Sequence, residues 1–455
     1  MLTKTLTFPC ILLALTTALT LAQTPPTTTT APAETAPAAT APAIPPALLA
    51  EFQSLHDALK PDDVAGRLNL ARWCRDKELW PQMADAAREV LDRDIENLAA
   101  YQYLRIFDEK VAIPENKPFE EKILTEFKTR FEHDFKIIHR RHFLIIYDTT
   151  EAFANQRGAA LEQAYDSFMY YFNMKQLHPH FLSSRLNVIL FKSRQNYLSY
   201  ARRTEGADLS WSAGYYSQRT NRSAFYDDST GPAAESVDKR LATLKDRRRE
   251  LNTQISDASG SDRIRLIDER DKISNEIFEI TTRMGNVVGL LNNVKTVHEA
   301  IHQLAFNTGI QKRLIDYPLW FTEGLACAFE TQDHNNNRGP GVMNWGRIAG
   351  VKAAMAHNKL IPLEDLIASP RPEKFDEQTL GVYYAESWAI FHYMYKFHRP
   401  ALERYLLAFH DIETLRVLSA EERKKLFTDA FGADIPGFEK KFLAYLKQLP
   451  NLPPK

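Results

Sequence analysis

The sequence has little cysteine, no excess of either charge and few glycines, and each of these shortages excludes or disfavours a class of protein or a type of structure. Three cysteines in 455 residues cannot build a disulfide-stabilised scaffold. The 57 basic and 58 acidic side chains leave a net charge of −1, so no charge excess marks a nucleic-acid-binding protein. With 17 glycines, tight hairpins should be few and helices many. What remains is a soluble globular chain, long enough for roughly three folding units.

Long apolar runs are also scarce, and the one at the start is short and interrupted. Residues 1–22 begin with Met1 and Lys4, continue through an apolar run and end in small residues around Ala22. This is typical of a secretory signal peptide. A membrane anchor is disfavoured because threonines break the run, which is too short to span about 30 Å of hydrocarbon. We therefore expect an exported protein, located in the periplasm, the cell envelope or outside the cell.

Residues 23–48 form a second unusual segment, in which threonine, proline and alanine dominate. Such a composition buries too little apolar surface to offset the entropy of ordering. It predicts a disordered tether, which would be either a stalk that holds the folded part away from a surface or a passive spacer.

Residues 49–115 predict a helical segment because apolar side chains recur there at helical spacing. The pattern resembles one tetratricopeptide-like helical hairpin and the start of another. So few repeats cannot cover their own apolar faces, and we expect this segment to pack on the rest of the chain. Cys74 and the neighbouring tryptophans, Trp73 and Trp80, are interpreted as core residues.

Mixed periodicity between residues 118 and 230 predicts a small sheet with helices around it. The predicted elements are a strand at Phe135–Tyr147, a helix at Glu151–Tyr171, a strand at Leu186–Phe191 and an edge hairpin at 213–226. Two histidines, His139 and His142, fall on the first strand. Three residues apart on a strand they would point to opposite faces, which disfavours a shared metal site.

Residues 235–284 follow a 4-3 apolar spacing in two series separated by a turn signal near Ser259. This predicts an antiparallel coiled-coil hairpin, inserted into the larger domain, whose seam carries Arg248 and Arg270 at the same level. Two arginines at the same level of the seam require a carboxylate or phosphate group nearby to offset their repulsion. The hairpin could bind a protein partner or act as a lid, and a solvated structural insertion is the simpler alternative.

Residues 298–302 read His-Glu-Ala-Ile-His, the H-E-x-x-H pattern. On a helix, His298 and His302 share a face, so both imidazoles can reach one zinc ion at about 2.0–2.1 Å. Glu299 beside the first histidine can then act as general base toward water. The set needs a third protein ligand. Glu323, 21 residues after His302 and flanked by apolar residues, supplies a carboxylate that a cation would make tolerable.

The sequence HEAIHQ, together with the later sequence WFTEGLA, resembles the motifs of the gluzincin metallopeptidases, the superfamily of thermolysin and aminopeptidase N. Within it, the chain looks closest to a little-characterised group of secreted bacterial peptidase-like proteins. The resemblance implies an α+β zincin fold, largely helical, for residues 116–455. It also implies zinc on His298, His302 and Glu323, with Glu299 as general base.

Gluzincins also use a downstream tyrosine or histidine to stabilise the oxyanion. Tyr384, followed three residues later by Ser387, fits the aminopeptidase pattern better than Tyr383 does. Two departures stand out. The Gly-Ala-Met-Glu-Asn segment that holds a substrate amine is absent, which leaves exopeptidase activity unsupported. Thermolysin-like enzymes also have an aspartate where this chain has Cys327, so a partner for the zinc histidines must come from elsewhere.

The sequence thus predicts an exported zinc metallopeptidase that binds an extended peptide along the edge strand near 213–226. Two alternatives stay open. One is a catalytically silent scaffold of the cell envelope that works through its helical segment and coiled-coil hairpin. The other is a hydrolase of a non-protein amide, because the same residues would serve that reaction.

Overall fold

The computed structural model describes residues 44–450 except 173, 175–176, 207–208, 210–211, 231, 331–338 and 370–376. The predicted signal peptide and most of the predicted tether lie outside the described residues. Pro46 opens the first helix, since proline is well suited to the first helical position. The last residues assigned to the tether are therefore helical, and that part of the prediction is wrong. The described chain is mostly helical with one small mixed sheet, which confirms the α+β class.

Among the described residues, five helices precede the sheet, two lie between its strands and nine follow it. The helices are α1 (Pro46–Asp57), α2 (Val64–Asp76), α3 (Trp80–Leu91), α4 (Leu98–Lys110), α5 (Lys117–Phe131), α6 (Glu151–Tyr171), α7 (Arg194–Glu205), α8 (Pro232–Asp257), α9 (Gly260–Asn307), α10 (Leu319–Cys327), α11 (Trp345–Ala356), α12 (Leu363–Ala368), α13 (Glu377–Phe397), α14 (Arg399–His410), α15 (Ala420–Phe431) and α16 (Ile435–Gln448). The strands are β1 (Lys136–His139), β2 (Phe143–Tyr147), β3 (Leu186–Phe191), β4 (Gly214–Ser217) and β5 (Arg222–Tyr226), and a 3-10 turn covers Asp228–Thr230.

Helices α1 to α4 fill the predicted helical segment, and the boundary expected at 115/116 falls in the loop before α5. Cys74 is fully buried between these helices. The segment also packs on later parts of the chain. The ring of Phe107 lies 5.0 Å from that of Phe181, and the imidazole of His178 contacts Asp92 at 2.8 Å. A segment with so few helices covers its apolar face in this way.

The sheet has the order β1-β2-β3-β5-β4, with β2, β3 and β5 parallel and the two outer strands antiparallel to their neighbours. The predicted edge hairpin is confirmed as β4 and β5, and β4 is the edge strand. The single strand predicted over Phe135–Tyr147 is wrong. The chain turns at Arg140–His142 and returns as β2, because the two arginines lie in the turn and leave apolar runs on either side to pair with each other.

This turn also changes the interpretation of its two histidines, which do not share a strand. His139 ends β1 and contacts Glu120, whereas His142 is buried below the turn. The His142 imidazole lies 2.6 Å from Glu162 and 3.1 Å from Asp108, and it stacks on a tyrosine of α6. His142 therefore joins α4, the sheet and α6 as a packing group.

The two faces of the sheet pack on different helices because strand side chains alternate. Leu144, Ile146 and Ile189 face α5 and α7. Ile145 and Val188 face the other way, into the large core that includes α6 and the last turns of α9. The sheet thus separates a smaller core from a larger one, and β4 lies beside α9 at the sheet edge.

The predicted antiparallel hairpin is confirmed as α8 and the first half of α9, and we call it the arm. Its seam buries Leu251, Ile255 and Leu266, and Arg270 pairs with Asp271 at 2.6 Å. Helix α9 continues without a break for 48 residues, about 72 Å, and its last part carries the H-E-x-x-H motif. The arm is therefore not a detached insertion. Among the described residues, no helix is both long and apolar enough to cross a membrane.

The base of the arm is fixed by buried polar contacts next to the sheet. The ammonium of Lys295, which is fully buried on α9, lies 2.9 Å from Asp228 and donates to the carbonyl of Tyr226. The Asn292 side chain accepts a hydrogen bond from the Asp228 peptide N–H and donates one to Asp227. The arm and the sheet are thus joined one turn before His298.

Candidate metal centre

The two histidines of the motif converge as their helical spacing predicts. His298 and His302 are both buried on α9, and their Nε2 atoms lie 3.1 Å apart. Burial lowers the pKa of His302, which keeps this imidazole neutral, the form that binds a metal. The pKa of His298 is raised well above its usual value, because hydrogen bonds to Cys327 and two glutamates outweigh the effect of burial. A metal ion would replace the proton on His298 Nε2.

Helix α10 brings Glu323 to the same point. Its Oε2 atom lies 2.9 Å from His298 Nε2 and 3.5 Å from His302 Nε2. Ligands at about 2.0–2.1 Å from a tetrahedral ion lie about 3.4 Å apart, so these three atoms have the spacing of a three-ligand site. Burial opposes the charge of Glu323, yet the two imidazoles hold its pKa well below its usual range. The three side chains therefore fit one divalent cation.

The position of Glu323 depends on the close approach of α10 and α13. Gly324, the next residue, faces the carbonyl of Ser387 so tightly that a Cβ atom built on it would lie 2.3 Å from that oxygen. Only glycine allows the two helices to touch backbone to backbone here. The glycine in the WFTEGLA sequence thus sets how far the carboxylate reaches toward the histidines.

His298 is oriented by a residue that the sequence analysis missed. Its Nδ1 atom lies 2.6 Å from Oε1 of Glu330, which follows α10 by three residues. Arg347, at the start of α11, holds both oxygens of Glu330 at 2.8 and 2.9 Å. Burial opposes the charge on Glu330, but Arg347 and His298 lower its pKa to about 2. Glu330 is thus a partner for a histidine of the motif that comes from outside position 327, as the sequence analysis expected.

A second group of potential ligands, His298 Nδ1, Cys327 and Glu330, overlaps the first. It already contains a cation, because the Arg347 guanidinium neutralises Glu330. Burial also raises the pKa of the Cys327 thiol to about 11, whereas a metal binds the thiolate. Of the two groups, the set of His298, His302 and Glu323 is therefore the one better suited to hold a metal ion, and we interpret Cys327 as a packing residue.

Glu299 lies beside the metal position with both carboxylate oxygens buried and without a hydrogen-bond partner among the described residues. The peptide group of Tyr216, on edge strand β4, is near enough to lower the pKa of Glu299, although no hydrogen bond of normal geometry forms. Burial is the larger influence and raises this pKa to about 8. A buried, unpartnered carboxylate is costly unless it has a function or a missing partner, such as water.

The two tyrosines of α13 are placed differently. The ring of Tyr384 lies 6.1 Å from that of His298, and Arg347 lies 5.2 Å from the Tyr384 ring centre. Tyr383 instead lies beside the backbone of Trp320. Burial raises the pKa of both phenols well above the usual value, so each keeps its proton. Of the two, Tyr384 is the one that the structure brings next to the His298 imidazole.

The structure thus brings together all the residues singled out by the sequence: His298, Glu299, His302, Glu323 and Tyr384. It adds Glu330 and Arg347. No signal in a single sequence marks these two residues, because they follow Glu323 by 7 and 24 residues and belong to no motif.

A protein-family model described as a protein of unknown function (DUF1570) matches residues 293–411. The matched region begins within α9, five residues before His298, and ends after α14, so it includes the five site residues together with Glu330 and Arg347. Comparisons with curated proteins and with solved structures find no match to the chain.

Proposed function

We propose that this protein is an exported zinc-dependent metallopeptidase of the gluzincin type. The convergence of His298 Nε2, His302 Nε2 and Glu323 Oε2 at tetrahedral spacing, with the unpartnered carboxylate of Glu299 beside them, is the observation that carries the proposal. Two imidazoles and one carboxylate are a ligand set typical of catalytic zinc. Bound there, zinc would polarise the scissile carbonyl and lower the pKa of water.

The residues of the chain have distinct roles in this proposal. Glu299 takes a proton from the attacking water and returns it to the leaving amine, and its raised pKa suits a group that must hold a proton between the two steps. Tyr384 keeps its phenolic proton and donates a hydrogen bond to the oxyanion. Glu330 keeps the Nδ1 proton of His298 in place, so that Nε2 faces the metal position.

The substrate would lie along β4. This strand ends the sheet, and an extended peptide could add to it by main-chain hydrogen bonds once the residues that bury β4 move. Because the Tyr216 peptide group lies next to Glu299, a peptide bound there would pass the general base. A peptide or protein is therefore the proposed substrate, and the arm is the proposed contact for any protein partner. The export proposal rests on residues 1–22.

One observation favours the scaffold alternative. None of the surface of His298, Glu299 or Glu323 is exposed to solvent, so a substrate can reach the site only if the surrounding residues move. A protein that never opens would bind a metal without cleaving anything. The same residues would also hydrolyse a non-protein amide if such a substrate fitted the site.

The test compares two buried glutamates with the same raised pKa. Glu299→Gln should retain zinc and lose cleavage of a mixed peptide library, because the amide cannot accept a proton. Glu386→Gln is the matched control: this side chain is also buried, its pKa is also raised to about 8 by burial, and it accepts the Ile361 peptide N–H. It should keep full activity. Cleavage by Glu299→Gln at the wild-type rate would refute the mechanism, and zinc binding without cleavage by the wild type would favour the scaffold alternative.

A further inference from the structure

The zinc histidines are held unequally. His298 Nδ1 has a carboxylate partner at 2.6 Å, whereas His302 Nδ1 is buried and has no hydrogen-bond partner among the described residues. Since partners of this kind fix the ring orientation of a metal-ligating histidine, the support of the pair runs mainly through Glu330. The position of Glu330 therefore depends on the residues that contact it.

Arg347 contacts Glu330 with two parallel hydrogen bonds, Nε to Oε2 at 2.9 Å and Nη2 to Oε1 at 2.8 Å. This bidentate geometry fixes both the position and the plane of the carboxylate, which a lysine cannot do. Asn344 strengthens the junction. Its Oδ1 atom caps α11 by accepting the Arg347 peptide N–H, and its Nδ2 atom donates to the carbonyl of Cys327. The first turn of α11 is thus fastened to the end of α10.

The same guanidinium contacts the ring of Tyr384, whose centre lies 5.2 Å away. The Tyr384 hydroxyl has no hydrogen-bond partner among the described residues. Stacking of the guanidinium on the ring therefore restrains a side chain that its own hydroxyl does not hold in place. Arg347 is therefore in contact with the support of a metal ligand and with the proposed oxyanion donor.

We propose that Arg347 is a positioning residue that sets the geometry of the metal centre on two sides, at His298 through Glu330 and at Tyr384 through its ring. The inference rests on the proposed function. It assigns Arg347 no contact with substrate. Its effect should be seen first in metal affinity and in the environment of Tyr384, before any effect on turnover.

The test measures Zn²⁺ affinity by competition with a chromophoric chelator. Arg347→Met should weaken zinc binding by about 10- to 100-fold, the usual effect of removing an outer partner of a metal ligand. Arg347→Lys keeps the positive charge but cannot make the two parallel hydrogen bonds, so it should restore only part of the zinc affinity that Arg347→Met loses. Arg67→Met is the matched control, because Arg67 is also buried and bound to a carboxylate, Glu89 at 2.7 Å, but lies in the helical segment. It should leave zinc affinity unchanged.

A second readout follows Tyr384 in the metal-free protein. With 3-fluorotyrosine at position 384, the ¹⁹F resonance should shift in Arg347→Met and Arg347→Lys, and stay in place in Arg67→Met. If Arg347→Met is too unstable to purify, Arg347→Lys carries both measurements. Wild-type zinc affinity in both Arg347 variants would overturn the inference and leave the proposed function standing. Failure of the wild type to bind Zn²⁺ would overturn both.

Discussion

Gly324→Ala tests whether the contact between α10 and α13 sets the geometry of the metal centre. A Cβ atom at this position would lie 2.3 Å from the Ser387 carbonyl and 2.8 Å from the Cβ atom of Phe391. Ordinary contacts begin at 3.4 Å, so the helices must separate by about 1 Å. The carbonyl belongs to the middle of α13 and cannot turn aside. Overpacking of this kind typically costs about 1–3 kcal/mol.

The substitution should also disturb the metal centre. Glu323 is the adjacent residue, and its carboxylate lies 2.9 and 3.5 Å from the two imidazole nitrogens. A shift of about 1 Å would break this spacing, and misplacements of that size cost on the order of 100-fold in rate. We expect a lower midpoint in urea unfolding and a zinc affinity reduced more than tenfold, measured by chelator competition.

Gly289→Ala is the control for this prediction. Gly289 lies inside α9, and a Cβ atom there would meet nothing within 4 Å. Alanine should stabilise the helix by about 0.5–1 kcal/mol, because glycine is the poorer helix former. If Gly324→Ala unfolds at the wild-type urea concentration and binds zinc as tightly as the wild type, the helix contact does not position Glu323.

Four further predictions concern buried titratable groups. Burial lowers the pKa of His142, but the two carboxylates beside it outweigh burial and raise this pKa. The free energy of unfolding that the wild type gains over His142→Gln should therefore be largest below about pH 6.5 and decrease at higher pH, as measured by urea unfolding. His392 should show the opposite dependence, because burial lowers its pKa to about 4 and its contribution is lost as the pH falls from about 6.5 toward 4. Lys295→Met should destabilise by about 3–5 kcal/mol by leaving Asp228 unpaired, and adding Asp228→Asn should restore much of the loss; equal stability of the single and double variants would contradict this. Cys327→Ala should weaken zinc binding less than Arg347→Met does, because the Glu330 contact with His298 Nδ1 remains, and a larger loss in this variant would contradict the interpretation of Cys327 as a packing residue.

Patterns that repeat locally could be predicted from the sequence. Helical spacing placed His298 and His302 on one face, and the 4-3 series of the arm identified both of its helices. Glu323 could be found because it lies within a second motif. In each case the information lies in neighbouring residues, and the fold only had to bring two helices together.

The parts that could not be predicted depend on contacts between distant segments. The turn at Arg140–His142 contains no glycine or proline, so only a short polar run separates β1 from β2 in the sequence. Glu330 lies beyond the end of α10, and its meeting with Arg347 depends on the path of the chain between them. The continuity of α9 could not be predicted either, because Gly285 and Gly289, which are poor helix formers, lie between the arm and the motif.

Because α9 is one continuous helix, the number of its residues between the arm and the histidines fixes the direction of the arm's side chains relative to those histidines. Each residue turns a helix by about 100°, so removing one residue from the arm half of α9 would swing the Leu266 side of the seam around relative to the histidines. Seven residues make nearly two turns, so removing seven from α9 and seven from α8 keeps every side chain on its original side. Each such step would shorten the arm by about 10 Å. The arm can therefore change length by steps of seven residues while the direction in which it leaves the metal centre stays fixed.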